Sequence, residues 1–403
     1  MMNQTGHARR ILLKTALSAL YSSCPQVLAG NADLETGNSV LPANPAGKLF
    51  ISGARQSSEQ HVAVVFDERG QIITSVPLSA RAHGAAAHVK TYRGCLFARR
   101  PGTYLNAFDI RTPRIHQTIR PQPNRHYYGH GVFSTSGHLL FATENDFDGV
   151  RGIVGIYDAE KGYQRIGEMI SSGIGPHEIV RLPGSHLLVV ANGGIQTHPD
   201  SGRDKLNVAS MLPSVSIIDS RNGQVVGQHY LDDELHQVSI RHLACTEDGE
   251  VWFAAQYEGG KQTVKGLAGV INVEQSINSF QHKTSSIGLS LIDIPANLQK
   301  KTLNYLSSVA VAGSYVIYTA AKGGLTFTVN RQTKQVEDSV SIFDCSGVAS
   351  LTHFDFSQPA STSDSDAALV TTGTGEIVRL DENGISSLGM HSLQWDNHVY
   401  RLS

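Results

Sequence analysis

The chain of 403 residues carries 33 lysines and arginines against 35 aspartates and glutamates, and 40% of it is hydrophobic. A formal net charge of −2 offers no basic field, which excludes nucleic acid as a partner. No apolar run reaches the roughly 18–20 residues of a membrane span, which excludes a multi-span protein, while 39 glycines and 14 prolines favour many strands and turns.

Residues 1–29 read as a twin-arginine export leader. The segment HARRILLK (His7–Lys14) pairs Arg9 with Arg10 and sets Lys14 at a fixed offset before a short apolar stretch, TALSALYSS. A cut after Ala29 fits the small-residue rule, and one at Asn31–Ala32 fits it nearly as well. The other reading is a cationic amphipathic helix of the folded domain. Tyr21 stands where a lipobox takes Leu, so Cys24 is not read as a lipid anchor. Removing the leader takes away Arg9, Arg10 and Lys14 and no acid, leaving 30 basic and 35 acidic residues and a net charge of −5. This export route carries folded proteins, often around a cofactor, which directs attention to a metal. Residues 30–46 (NADLETGNSVLPANPAG) read as a linker, and 47–403 as a single β-propeller domain.

From Gly47 a unit repeats: an apolar strand, a turn, a second apolar strand, a polar loop, a third strand ending in Asp, a turn and a fourth strand. GHGVFS, TSG, HLLFATEN, DFDGVRG, IVGIYDAEKG and YQRIGEMI show it in one pass. Alternating apolar positions joined by DERG, DAEKG and SRNG turns are hairpin chemistry. Markers at the head of each first strand fall at His83, His130, His177, His242, Ser308, Gly347 and His398. Seven markers spaced by about fifty residues predict an all-β, seven-bladed β-propeller. WDNHVYRLS at the C-terminus supplies one strand of the last blade, and KLFISGAR, HVAVVFDERG and QIITSVPL after Gly47 supply the other three. Joining the two chain ends in one blade closes the ring and removes exposed edges. Cys95, Cys245 and Cys345 sit in apolar runs without CxxC spacing and read as buried thiols. The stretch Gln358–Asp366 reads as a surface hairpin tip.

The first strand of each blade lines the channel, so five of seven channel-entry positions are histidine: His83, His130, His177, His242 and His398. Neutral imidazoles on one axis suit iron, copper or zinc, and Glu144 or Glu178 could add a carboxylate. Second-strand ends predict a matching polar ring of Arg55, Arg99, Glu144, Asn145, Asn192 and Gln256, with His198 on the long loop after Asn192, able to bind a ligand or orient the histidines. His126, Tyr127 and Tyr128 either rim the funnel or pack between blades, and THPDSGR (Thr197–Arg203) reads as a lid-like loop. Neither a GxSxG elbow nor a phosphate-cradling glycine loop is present.

The strings HGAAAH, FARRPG, YGHGVFS, ATENDFD, GIVGIYDA, GIGPHE, VVANGGIQTHPDSGR, SIRHLA, CSGVAS and WDNH resemble the DUF1513 family of twin-arginine-exported bacterial proteins over essentially the whole mature chain. The one departure is the lack of a Ser or Thr before the paired arginines. The resemblance implies a propeller fold, a periplasmic location and a link to iron acquisition, with periplasmic iron-uptake proteins as partners, because family members resemble neighbours of imelysin-type iron proteins. It brings no activity and no ligand residues. The expected function is therefore a periplasmic propeller that binds a transition metal or metal-linked ligand at its histidine-rich channel mouth. Two other readings stand beside it: a lyase or hydrolase using a channel histidine with Glu144, and a scaffold for a periplasmic partner.

Overall fold

The computed structural model describes residues 47–56, 60–282, 288–352 and 366–402. The expected leader, the linker, Cys24 and all of the hairpin tip except Asp366 lie outside these residues.

Seven antiparallel sheets follow one another in chain order, six with four strands and one with five. Blade 2 opens on Ala82–His88, blade 3 on Arg125–Phe133, blade 4 on Pro176–Arg181, blade 5 on Val238–Cys245, blade 6 on Ser308–Ala312 and blade 7 on Cys345–Ser350. Blade 1 is built from both ends. Leu49–Gln56 pairs with Leu393–Trp395 (Ala54 opposite Trp395) and with Tyr400–Arg401 (Ile51 opposite Tyr400). Its inner edge is therefore two short strands with His398 in the break between them. Each innermost strand packs on its neighbours around the ring, and blade 1 contacts both blade 2 and blade 7. The seven-bladed architecture and its joined termini are as the repeat predicts.

Apolar residues fill the space between successive sheets. Phe66 packs on Phe50 and Trp395 within blade 1, with ring centroids 5.8 and 5.2 Å apart, in a cluster that continues into Leu369 and Ile377 of blade 7. Burying such rings contributes about 1.5–3 kcal/mol each before the ordering entropy is counted. The two long marker intervals are insertions. The loop after Asn192 fills one, and a helix at Val273–His282 with a shorter one at Ala296–Lys301 fills the other. Cys95 and Cys345 are buried, Cys245 is half-buried, and all three are free thiols. Among the described residues no helix is long and apolar enough to cross a membrane.

Candidate metal centre

The histidines reach the axis through irregularities in the innermost strands. In blade 2 the pairing slips between Ala82 and Ala85, in blade 4 between Pro176 and Glu178, and in blade 5 between Ile240 and His242. Each is a one-residue bulge at or beside the histidine, and a bulge bends its strand and re-aims a side chain. Blade 3 carries a larger one. From Tyr127 to Gly131 its inner strand takes four steps while the partner strand takes two, from Glu144 to Ala142. His130 lies inside that double bulge, next to Gly129 at φ +106°, a conformation glycine adopts without strain.

The result is a compact imidazole cluster. His83, His177, His242 and His398 form a closed quadrilateral with centroid separations of 5.3, 4.9, 4.5 and 4.6 Å around its sides. His130 touches all four corners, at 4.8 Å from His83, 5.0 Å from His177, 5.9 Å from His242 and 4.8 Å from His398. The larger bulge of blade 3 thus coincides with the histidine that enters the middle. Glycines make the approach feasible. A Cβ on Gly84 would sit 2.4 Å from Gly129 O and 2.8 Å from His130 Nδ1, and one on Gly129 would sit 2.5 Å from the His83 ring. Gly347, the blade 7 marker, leaves room for the backbone of His398, whose carbonyl carbon a Cβ there would meet at 3.0 Å.

All five rings are buried. Burial is the largest cause holding each imidazole below its ordinary pKa, to about 3 for His242. Neighbouring imidazoles add to this at His83, His130, His177 and His398, and the Arg241 guanidinium adds to it at His177 and His242. The cluster is therefore neutral near pH 7, the form that ligates metals. Among the described residues the carboxylate that meets it is Glu178. Glu178 Oε2 accepts from the Leu243 backbone N–H at 3.1 Å and lies 3.1 Å from His242 Nδ1. Glu178 Oε1 lies 3.5 Å from His130 Nδ1, which also meets Tyr400 Oη at 3.0 Å. Burial pushes the Glu178 carboxyl upward, opposed by His130 and by the Leu243 and Tyr400 hydrogen bonds. A carboxylate on the outer nitrogen of an imidazole fixes its tautomer and leaves the other nitrogen as donor to a metal.

Four ring nitrogens of the cluster are buried with no hydrogen-bond partner among the described residues: His83 Nδ1, His130 Nε2, His177 Nδ1 and His398 Nε2. Each buried polar atom left unpaired costs about 1–3 kcal/mol, a cost that a metal ion bound by these nitrogens would offset. Two sets of three meet the spacing for one ion, His83 with His130 and His177, and His130 with His242 and His398; in each, one donor atom per residue lies within 4.8 Å of the others.

The polar ring expected from the second-strand ends assembles only in part. Arg99 and Gln256 line a cavity of about 190 Å³ directly over His83, His177 and His242. Arg55 lines a neighbouring cavity and donates to Gln394 Oε1 at 2.9 Å. Glu144 is a correction. It is fully buried, accepts from Tyr157 Oη at 2.6 Å and from Arg165 at 3.0 Å, and does not line the channel. Strand alternation explains it: the adjacent residue, Thr143, lies on the other face of the sheet and donates to the backbone carbonyls of His130 at 3.1 Å and His177 at 3.5 Å, while Glu144 turns to Tyr157 and Arg165. An enzyme pairing Glu144 with a channel histidine therefore has no geometric basis. Asn145 donates to Thr197 O, and Asn192 is saturated by Ser171, Ser214 and Ser216. His198 turns to Asp148, Asp200 and the Phe147 ring, away from the cluster. Tyr127 packs between blades, Tyr128 lines the cavity, and His126 stacks on Phe147.

Sequence reasoning missed the charged rim. Arg100, Arg203, Lys205 and Arg241 also line this cavity, with Glu258 the acid among its lining residues. Arg203 and Lys205 come from the expected lid-like segment and the residues just after it. A second cavity, of about 490 Å³, reaches Glu178, His242, His398 and Tyr400 from the other end of the channel through small apolar walls such as Ala85, Val309 and Val348.

No curated protein matches the chain. Among solved structures it is similar to Kuenenia stuttgartiensis hydrazine synthase, with a TM-score of 0.55 at 13% identity over 91% of this chain and 98% of that one. A chain of the nidogen/laminin complex aligns with a TM-score of 0.46 at 12% identity, covering 72% of this chain and 92% of that one. The first likeness is one of fold alone. A family model described as "Protein of unknown function (DUF1513)" matches residues 76–402. The chain belongs to the DUF1513 family.

Proposed function

We propose that this protein is a periplasmic, twin-arginine-exported propeller that holds a transition metal ion at the centre of its channel, in the service of iron handling. The observation that carries the metal reading is the convergence of five buried, neutral imidazoles with four orphaned nitrogens around His130. Imidazole with a supporting carboxylate suits iron, zinc or copper rather than calcium or magnesium, which prefer all-oxygen shells. His130 belongs to both candidate sets, and Glu178 steers it and His242. Export of a folded, loaded protein accords with the leader read at residues 1–29, and the family resemblance supports iron as the first metal to test.

The test is elemental analysis of the protein expressed with its own leader, recovered from the periplasm and purified without an affinity tag. The wild type retains iron, zinc or copper through dialysis, and a His130→Ala/His177→Ala double variant falls to background. Full metal in the double variant, with native circular dichroism, overturns the reading. Iron in neither overturns the iron assignment.

A further inference from the structure

The cavity above the cluster has two chemically different walls. Its floor is imidazole, from His83, His177 and His242, and its rim is cationic, with Arg99, Arg100, Arg203, Lys205 and Arg241 against Glu258. The acids nearby are already shared. Glu258 accepts from Arg241 at 2.7 Å and pairs with Lys205. Asp396 takes Arg81 in a two-pronged pair at 2.6 and 2.8 Å and lies 3.6 Å from Arg99. Arg100 and Arg203 have no acidic partner among the described residues, and Arg99 Nη1, 3.6 Å from Asp396, and Arg241 Nε are shielded from solvent with no acceptor at hydrogen-bond distance among those residues.

Like charges gathered at a narrow, low-dielectric opening repel one another and focus a positive potential. An anion relieves both, and guanidinium forks match oxyanions in a two-pronged geometry that a lysine cannot reproduce. The cavity volume of about 190 Å³ equals the share of about six water molecules, below the roughly 300–1,000 Å³ of pockets for larger organic ligands. It has room for a small anion in contact with both walls.

Resting on the metal reading above, we propose that this cavity binds a small oxyanion, of carboxylate or phosphate type, that bridges the arginine rim and the metal held by the histidines. The anion completes the ion's shell from the open side, and Arg100 and Arg203 hold its far oxygens.

The experiment titrates orthophosphate, and separately succinate, into the mature protein by calorimetry, metal-free and loaded with zinc, with zinc content measured afterwards. The expected result is binding at least tenfold tighter in the zinc-loaded protein. An Arg100→Ala/Arg203→Ala variant binds at least tenfold more weakly with zinc content unchanged. Preference for one probe over the other supports the inference and identifies the anionic group. Equal affinity with and without zinc overturns the bridge. Retained zinc with no uptake of either anion overturns this inference while leaving the metal reading intact. Failure to hold zinc, iron or copper removes both.

Discussion

Blades 3 and 6 present the same kind of innermost strand to the channel and do opposite things with it. In blade 6 the ladder runs without interruption from Ser308 opposite Thr319 to Ala312 opposite Tyr315, and no imidazole reaches the axis. In blade 3 two extra residues loop out of the ladder, and His130 stands amid four other imidazoles. A regular strand completes the wall; a bulged one delivers a side chain to the centre. Blade 7 shows that the bulge alone is insufficient, since its irregularity between Cys345 and Val348 carries Gly347 and makes space for His398 instead.

The comparison can be broken most severely by removing its central side chain. His130→Ala takes a donor from both candidate sets, so metal affinity should fall by more than the roughly 10–100-fold typical of supporting residues; equilibrium dialysis checks it, and a smaller loss would demote His130 from its central position. Acid should act next most strongly. In metal-free protein the five histidines have lowered pKa values, so the unfolded chain binds more protons below its ordinary histidine pKa of about 6.5. Stability is then fully present above that pH and declines as pH falls from it toward the folded values, about 3 at His242. Each histidine contributes up to about 1.4 kcal/mol per pH unit in that window. Glu178, raised in the fold, has the opposite sign: its contribution is present at low pH and disappears as pH rises above the ordinary carboxyl range. Denaturant melts between pH 7 and 4 should show the histidine sign prevailing.

A smaller effect is expected from Gly84→Ala, whose added methyl meets Gly129 O and His130 Nδ1. Overpacking of this kind costs about 1–3 kcal/mol, and the melting temperature should fall together with metal affinity. Glu178→Gln keeps the shape but weakens the hold on His242 and His130, so affinity should fall by about 10–100-fold with little change in folding. At the bottom of the scale, Ser308→Ala in the regular blade should leave metal affinity where it was. A marked loss there would mean that the uninterrupted wall contributes to the site after all.

Much of this was legible in the sequence. The blade count followed from strand periodicity, and the five histidines could be placed at channel entries because the repeat puts them at equivalent heads of strands. Their gathering on one axis was legible for the same reason, but how closely the rings meet was not, because that depends on bulges whose extra residues the apolar pattern does not mark. The signal for the largest was the glycine pair flanking His130 in YGHG. The place of Glu144 was not legible because a polar strand end gives no sign of which face each residue takes: Thr143 reaches the backbone of the histidine strands, while Glu144 turns to Tyr157 and Arg165. Arg241 stood next to His242 and could have been noticed, but Arg203 and Lys205 reach the cavity from a loop after Asn192 whose path no periodicity describes.

The most direct test of the central claim is X-ray absorption spectroscopy at the edge of the metal that the native protein retains. The account predicts a shell of nitrogen and oxygen donors, near 2.0–2.2 Å for zinc, with the multiple-scattering pattern of at least three imidazoles. Sulfur in that shell, or fewer than three imidazoles, would contradict it.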